Sequence, residues 1–177
     1  TNVMVADMLQ ESGYKTIGFS CNSWVSKERG FGKGFQEFVE MWRSENKVAK
    51  AGVSQQTEII AADKITSWIG AADKEEPFFL FANLNNAHMP YRPPKSFAER
   101  FLRQDYDIRD ISRIASVSGM WAHLVGKLHL SNNDFAIMND LYDSEIAVGD
   151  YCVEQITESL KRHNILDDTM VIIMSDH

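Results

Sequence analysis

At 177 residues, 44% of them hydrophobic and 24% charged, the chain can bury one substantial core and has the make-up of an ordinary globular domain. The net charge of −7 comes with dispersed Lys and Arg, which argues against a nucleic-acid-binding stripe but not against an anionic substrate at a local site. No apolar run reaches the roughly 18–20 residues of a membrane span, and no charged segment followed by an apolar one opens the chain as a secretory signal would.

The opening "TNVMVADMLQESGY" places Val5, Met8 and Leu9 at helical spacing, with Gly13 as a stop. "KTIGFS" follows as a short β-prone run. Gly30, Gly32 and Gly34 punctuate residues 21–40, which read as a long loop. Residues 54–72 carry Ile59, Ile60, Ile65, Trp68 and Ile69, a pattern that predicts a helix packed on one face. "EEPFFLFANL" is a continuous apolar run of strand length. Pro90, Pro93 and Pro94 then impose an extended loop on "HMPYRPPKSF". Residues 96–130 read as irregular helix, and 104–133 as a variable insertion within a single domain spanning 1–177.

The clearest predicted element is a helix over 134–163. Phe135, Met138, Tyr142, Ile146, Gly149, Val153, Ile156 and Leu160 recur at three- and four-residue steps. Asp134 is placed to cap its start, while Lys161, Arg162 and His163 suit its end. "ILDDT" turns the chain, and "MVIIMS" is expected as a last strand. Strands separated by helices imply an α/β architecture with a largely parallel sheet flanked by helices. Apolar strands such as Phe78–Leu84 and Met170–Met174 are expected where both sheet faces are covered.

In such sheets, sites collect beyond the carboxyl ends of the strands. Each predicted strand runs straight into a polar cluster: Cys21, Asn22 and Ser23; Asn85, Asn86 and His88; Asp176 and His177. If the strands are parallel, the clusters share one edge. Each also has a plain reading, as a satisfied loop histidine, as turn-forming Asn, or as the cap of a following helix. Asp176 offers a hard oxygen and His177 a nitrogen, so the pair can hold part of a divalent cation's shell. "GFGKGF" lacks the phosphate-loop pattern and reads as a loop needing flexible backbone. No GxSxG elbow occurs. Cys21 and Cys152 show no metal-type spacing, and Asn-x-Ser/Thr sequons are absent, so a reducing, cytoplasmic setting is the plain reading.

Three stretches together resemble the sulfatase family of the alkaline-phosphatase-like superfamily. "PFFLFANLNNAHMPYRPP" is similar to the family's strand leading to a His-x-Pro-Tyr loop. "LYDSEIAVGDYCVEQITESLKRHNILDDTMVIIMSDH" is similar to its long helix, Asp-Asp-Thr turn and metal-binding strand end. "VADMLQESGYKTIGFS" and "GFGKGFQEF" resemble the earlier helix–strand pair and Gly-Phe loop. The resemblance implies an internal fragment of an alkaline-phosphatase-like fold whose parent hydrolyses a small-molecule or glycan sulfate ester. It implies that His88 contacts the sulfate or the leaving-group oxygen, and that Asp176 and His177 are two ligands of a divalent cation, usually calcium.

Two departures qualify this. The family's paired upstream metal-binding acids and its Cys-x-Pro-Ser-Arg motif, whose Cys becomes a formylglycine nucleophile, do not occur in these residues. Both are expected upstream, and the fragment alone is expected to be inactive. Cys21 and Ser23 also stand where many members carry a sulfate-holding Lys and His, leaving Asn22 as the substitute ligand. Lys95, beyond the Pro pair, is placed to approach an anion, with a solvated surface Lys as the plain alternative. The departures widen the possible substrates to phosphate or phosphonate esters, including those of a phosphoglycerol-type transferase. A catalytically dead binding relative is the reading from another class.

Overall fold

The computed structural model describes residues 3–43, 57–103, 111 and 113–175. In chain order these form α1 (Val5–Glu11), β1 (Lys15–Ser20), a 3-10 turn at Lys27–Arg29, β2 (Glu37–Glu40), α2 (Thr57–Ala71), β3 (Phe78–Asn83), α3 (Lys95–Phe101), α4 (Val117–Leu124) and α5 (Asn132–Arg162). The strands form a parallel sheet of order β2-β1-β3, with Ile17 opposite Glu37 on one side and Leu80 on the other. The α/β class and parallel pairing expected from the sequence are therefore present. β2 is an addition: "EFVE" is too short and too acidic to stand out from the glycine-rich stretch before it, yet Phe38 is buried.

The two sheet faces differ. Ile17 and Phe19 of β1 point into the main core with Phe78, Leu80 and Ala82 of β3, where Ile65 and Ile69 of α2 and Leu160 of α5 cover them. On the opposite face Phe35 packs against Phe38, Phe79 and Phe81 at ring-centroid distances of 5.4, 5.7 and 6.1 Å. Gly18 makes room for that cluster, since a Cβ there would run into the Phe38 ring. β1 is buried along nearly its whole length, whereas β3 is only half-buried and Phe81 is exposed. The expectation that the apolar run Phe78–Leu84 marks a strand covered on both faces thus fails for β3, and the strand that is so covered is the less apolar "KTIGFS" at the centre of the sheet. β3 has only one strand neighbour among the described residues.

The "GFGKGF" stretch is a docking loop. Gly34 (φ +77°) lies so close to the backbone of Ala6 and Asp7 that no side chain fits, and Lys33 pairs with Asp7 at 3.0 Å. This contact also corrects the expected face of α1: Ala6 is buried, while Val5 and Met8 are exposed.

α5 spans about 45 Å at helical rise and joins three packing regions. Its first half, through Ile137, Met138 and Leu141, covers a cluster with Ile114 and Leu130. Val148 and Cys152 then meet Ala62 of α2, and Leu160 reaches the sheet core. The buried face includes Met138 and Leu160 but is rotated from the predicted stripe: Tyr142 and Ile146 are 41% and 47% exposed, whereas Asp140, Ser144 and Glu145 are buried. The apolar spacing could not reveal a helix that turns polar groups inward. The helix begins two residues before the predicted boundary, with Ser131 as its cap. Asp134 is the third helical residue, its carboxylate accepting from the Ser131 backbone N–H at 2.8 Å.

The expected last strand is absent from the described residues. Residues 170–175 run without regular structure, and Met170 and Met174 are 85% and 83% exposed. An apolar run becomes a strand only where a ladder partner takes its N–H and C=O groups. Asp176 and His177 lie outside the described residues.

Candidate active site

The carboxyl edge of β1 and β3 brings two of the three predicted clusters together. Ser20 is the register partner of Asn83, and the Cys21 N–H donates to the Asn83 carbonyl at 2.9 Å, so both strands leave the sheet at the same level. After β1 the chain turns at once. The buried Ser20 hydroxyl donates to the Asn22 carbonyl (3.0 Å) and accepts from its N–H (3.2 Å). Asn22 Oδ1 accepts from the Trp24 N–H at 2.9 Å, an Asx turn that leaves the Nδ2 amide as the Asn22 group suited to an anionic ligand. Cys21 is buried under this turn.

After β3 the His88 N–H donates to the Asn85 carbonyl at 3.3 Å, and Ala87 takes φ +66°. His88 is exposed, with ring Nδ1 2.6 Å from the Met89 carbonyl. A carbonyl only accepts, so Nδ1 carries the proton and Nε2 is the nitrogen offered to a ligand. Nε2 accepts in the neutral ring and donates in the imidazolium.

The loop then returns to α5. Asn86 Nδ2 donates to Glu145 Oε2 at 3.3 Å, and the Arg92 backbone N–H donates to Glu145 Oε1 at 2.7 Å. Between them Tyr91 packs edge-on against Tyr142 (5.8 Å between centroids), and its N–H donates to the Ala115 carbonyl at 3.1 Å. Burial, reinforced by Tyr142 and Glu145, pushes the Tyr91 phenol above its ordinary pKa and keeps it neutral. Lys95, at the start of α3, is highly exposed and pairs with Glu99 at 3.4 Å.

Sequence reasoning missed Glu145. It is an acid on the inward face of α5, with Leu141 one turn before it and Gly149 one turn after. The residue type next to apolar helical neighbours was the available signal. Among the described residues no three His, Cys, Asp or Glu side chains gather as a metal site. No helix among the described residues is long and apolar enough to cross a membrane.

A family model described as Sulfatase matches residues 1–177, the whole chain. No curated protein matches it. With the parallel sheet and the His88 loop at its carboxyl edge, that match identifies the chain as a member of the sulfatase family, which has the alkaline-phosphatase-like fold and sulfate-ester-hydrolase-type function.

Proposed function

We propose that the protein hydrolyses sulfate esters at the carboxyl edge of β1 and β3, with His88 serving the leaving group. The supporting observation is the placement of His88: exposed, on the loop that leaves β3 at the sheet edge where β1 also ends, with Nδ1 engaged by the Met89 carbonyl so that Nε2 is the nitrogen left for a ligand. An alkoxide or phenolate leaving from sulfur needs a proton or a hydrogen bond as the S–O bond breaks, and a protonated Nε2 supplies one. The Asn22 amide contributes a neutral donor to the sulfate oxygens, and Lys95 offers a cation if its surface pairing with Glu99 opens.

Asp176 and His177 would hold a divalent cation, calcium in this reading, together with ligands from outside these 177 residues. The donor chemistry fits, a hard carboxylate oxygen beside a neutral imidazole. When bound, such an ion neutralises the ester's oxygens. The nucleophile, a formylglycine, belongs to sequence outside these residues. Cys21 does not replace it, since it is buried and followed by Asn22 and Ser23 rather than the modification motif.

Metal analysis of the complete protein and its Asp176→Ala variant tests the cation site. Loss of bound metal is expected, and unchanged content would remove Asp176 from the ligand set. Cys21 and Ser23, in place of a sulfate-holding Lys and His, favour a second reading as a phosphodiesterase, phosphonate hydrolase or phosphoglycerol-type transferase. Parallel assays with 4-nitrophenyl sulfate and bis(4-nitrophenyl) phosphate distinguish the two.

A further inference from the structure

We propose that Glu145 is a positioning residue for His88, clamping both ends of the loop that carries it. This inference rests on the catalytic reading of His88 given above. Glu145 is only 4% exposed, and its two carboxylate oxygens are used separately: Oε2 by Asn86, two residues before His88, and Oε1 by the Arg92 N–H, four residues after it. Both partners are donors. A carboxylate accepts on both oxygens, whereas an isosteric amide turns an N–H₂ toward one of them. Burial raises the stakes, because a desolvated carboxylate is tolerated only where hydrogen bonds replace its water.

The anchor itself is rigid. Glu145 lies in the middle of a 31-residue helix, beside buried Ser144 and one turn after buried Leu141. One turn further on, Gly149 leaves space for Asn86, whose Cβ is 3.4 Å from where a glycine Cβ would stand. The loop is therefore held against α5, while His88 between the two anchor points stays exposed. Displacing a reacting group by about 1 Å can cost on the order of 10²-fold in rate, so a clamp of this kind bears on catalysis rather than only on folding.

The test compares Glu145→Ala, Glu145→Gln, His88→Ala and the Glu145→Ala/His88→Ala double variant in the complete protein, with 4-nitrophenyl sulfate as probe. Glu145→Ala is expected to lower kcat about 10- to 100-fold with KM little changed. In the His88→Ala background the same substitution should change kcat less than about threefold, the signature of two residues acting as one unit. Additive losses would overturn the proposal. Glu145→Gln, which keeps one of the two bonds, should fall between wild type and Glu145→Ala, and it carries the test if the alanine variant does not fold.

Hydrogen exchange gives a readout independent of turnover. Between Pro90 and Pro94 only Tyr91 and Arg92 have backbone N–H groups. Glu145→Ala should speed exchange at Arg92 about tenfold or more while the β1 amides keep their protection. Unchanged Arg92 exchange would overturn the clamp whatever the activity. If His88→Ala turns over as fast as wild type, the catalytic reading of His88 fails, and Arg92 exchange alone decides whether Glu145 holds the loop.

Discussion

Ser20 at the end of β1 lies directly opposite Asn83 at the end of β3, and this pairing brings the Asn22 turn and the His88 loop to one edge. The Ser20 hydroxyl also ties the turn down, exchanging two hydrogen bonds with the Asn22 backbone from a fully buried position. Ser20→Ala should therefore cost about 1–3 kcal/mol, because it leaves a backbone N–H without its partner. Urea unfolding should show a lower midpoint with an unchanged slope.

The start of α5 should respond to pH. Hydrogen bonds from the Ser131 backbone and hydroxyl, helped by Arg113, hold the Asp134 carboxyl below its ordinary value of 3.8, although partial desolvation opposes them. A depressed carboxyl stabilises the fold above its unfolded pKa, and that contribution disappears as pH falls through the folded pKa. Ser131→Ala should cost about 0.5–2 kcal/mol at pH 7. The Asp134→Asn penalty should be fully present near neutrality and shrink below about pH 4, tracked by thermal melts across pH.

Gly30 and Gly34 both take left-handed backbone, at φ +89° and +77°, but only Gly34 is pressed against another element. Gly30→Ala should cost about 1–2 kcal/mol from backbone strain alone. Gly34→Ala adds a collision with Ala6 and Asp7 and should cost clearly more, displacing α1. Equal penalties would show that the loop does not dock as described, and differential denaturation of the two variants decides it.

Burial pushes the Cys152 thiol up to about 12, with Glu58 and Asp63 adding to the shift. The thiolate is the reactive form, so at pH 8 the folded protein should resist iodoacetamide at Cys152. Labelling should appear only on unfolding, followed by mass spectrometry of the peptide.

Much of this fold was legible in the sequence because its strongest signals are periodic. α2, β3 and α5 follow from apolar spacing, and the clustering of polar residues after β1 and β3 follows from the placement of sites in parallel sheets. What the sequence obscured were features set by partners. β2 becomes a strand because β1 is beside it, and residues 170–175, as apolar as any strand, are not one without such a neighbour. α5 turns Asp140 and Glu145 inward because Arg103 and the His88 loop meet them there, with Arg103 3.1 Å from Asp140, while the buried Ser144 hydroxyl donates to the Asp140 carbonyl of its own helix. That is why His88 could be found from its strand, and Glu145, which anchors its loop, could not.

The most direct test is turnover of 4-nitrophenyl sulfate by the complete protein and its His88→Ala variant, with thermal melts of both. Because His88 is exposed, its replacement should shift stability by no more than about 0.5 kcal/mol. The account predicts a loss of about 10²- to 10⁴-fold in kcat with the melting temperature essentially unchanged. A variant that hydrolyses the ester at the wild-type rate would contradict it.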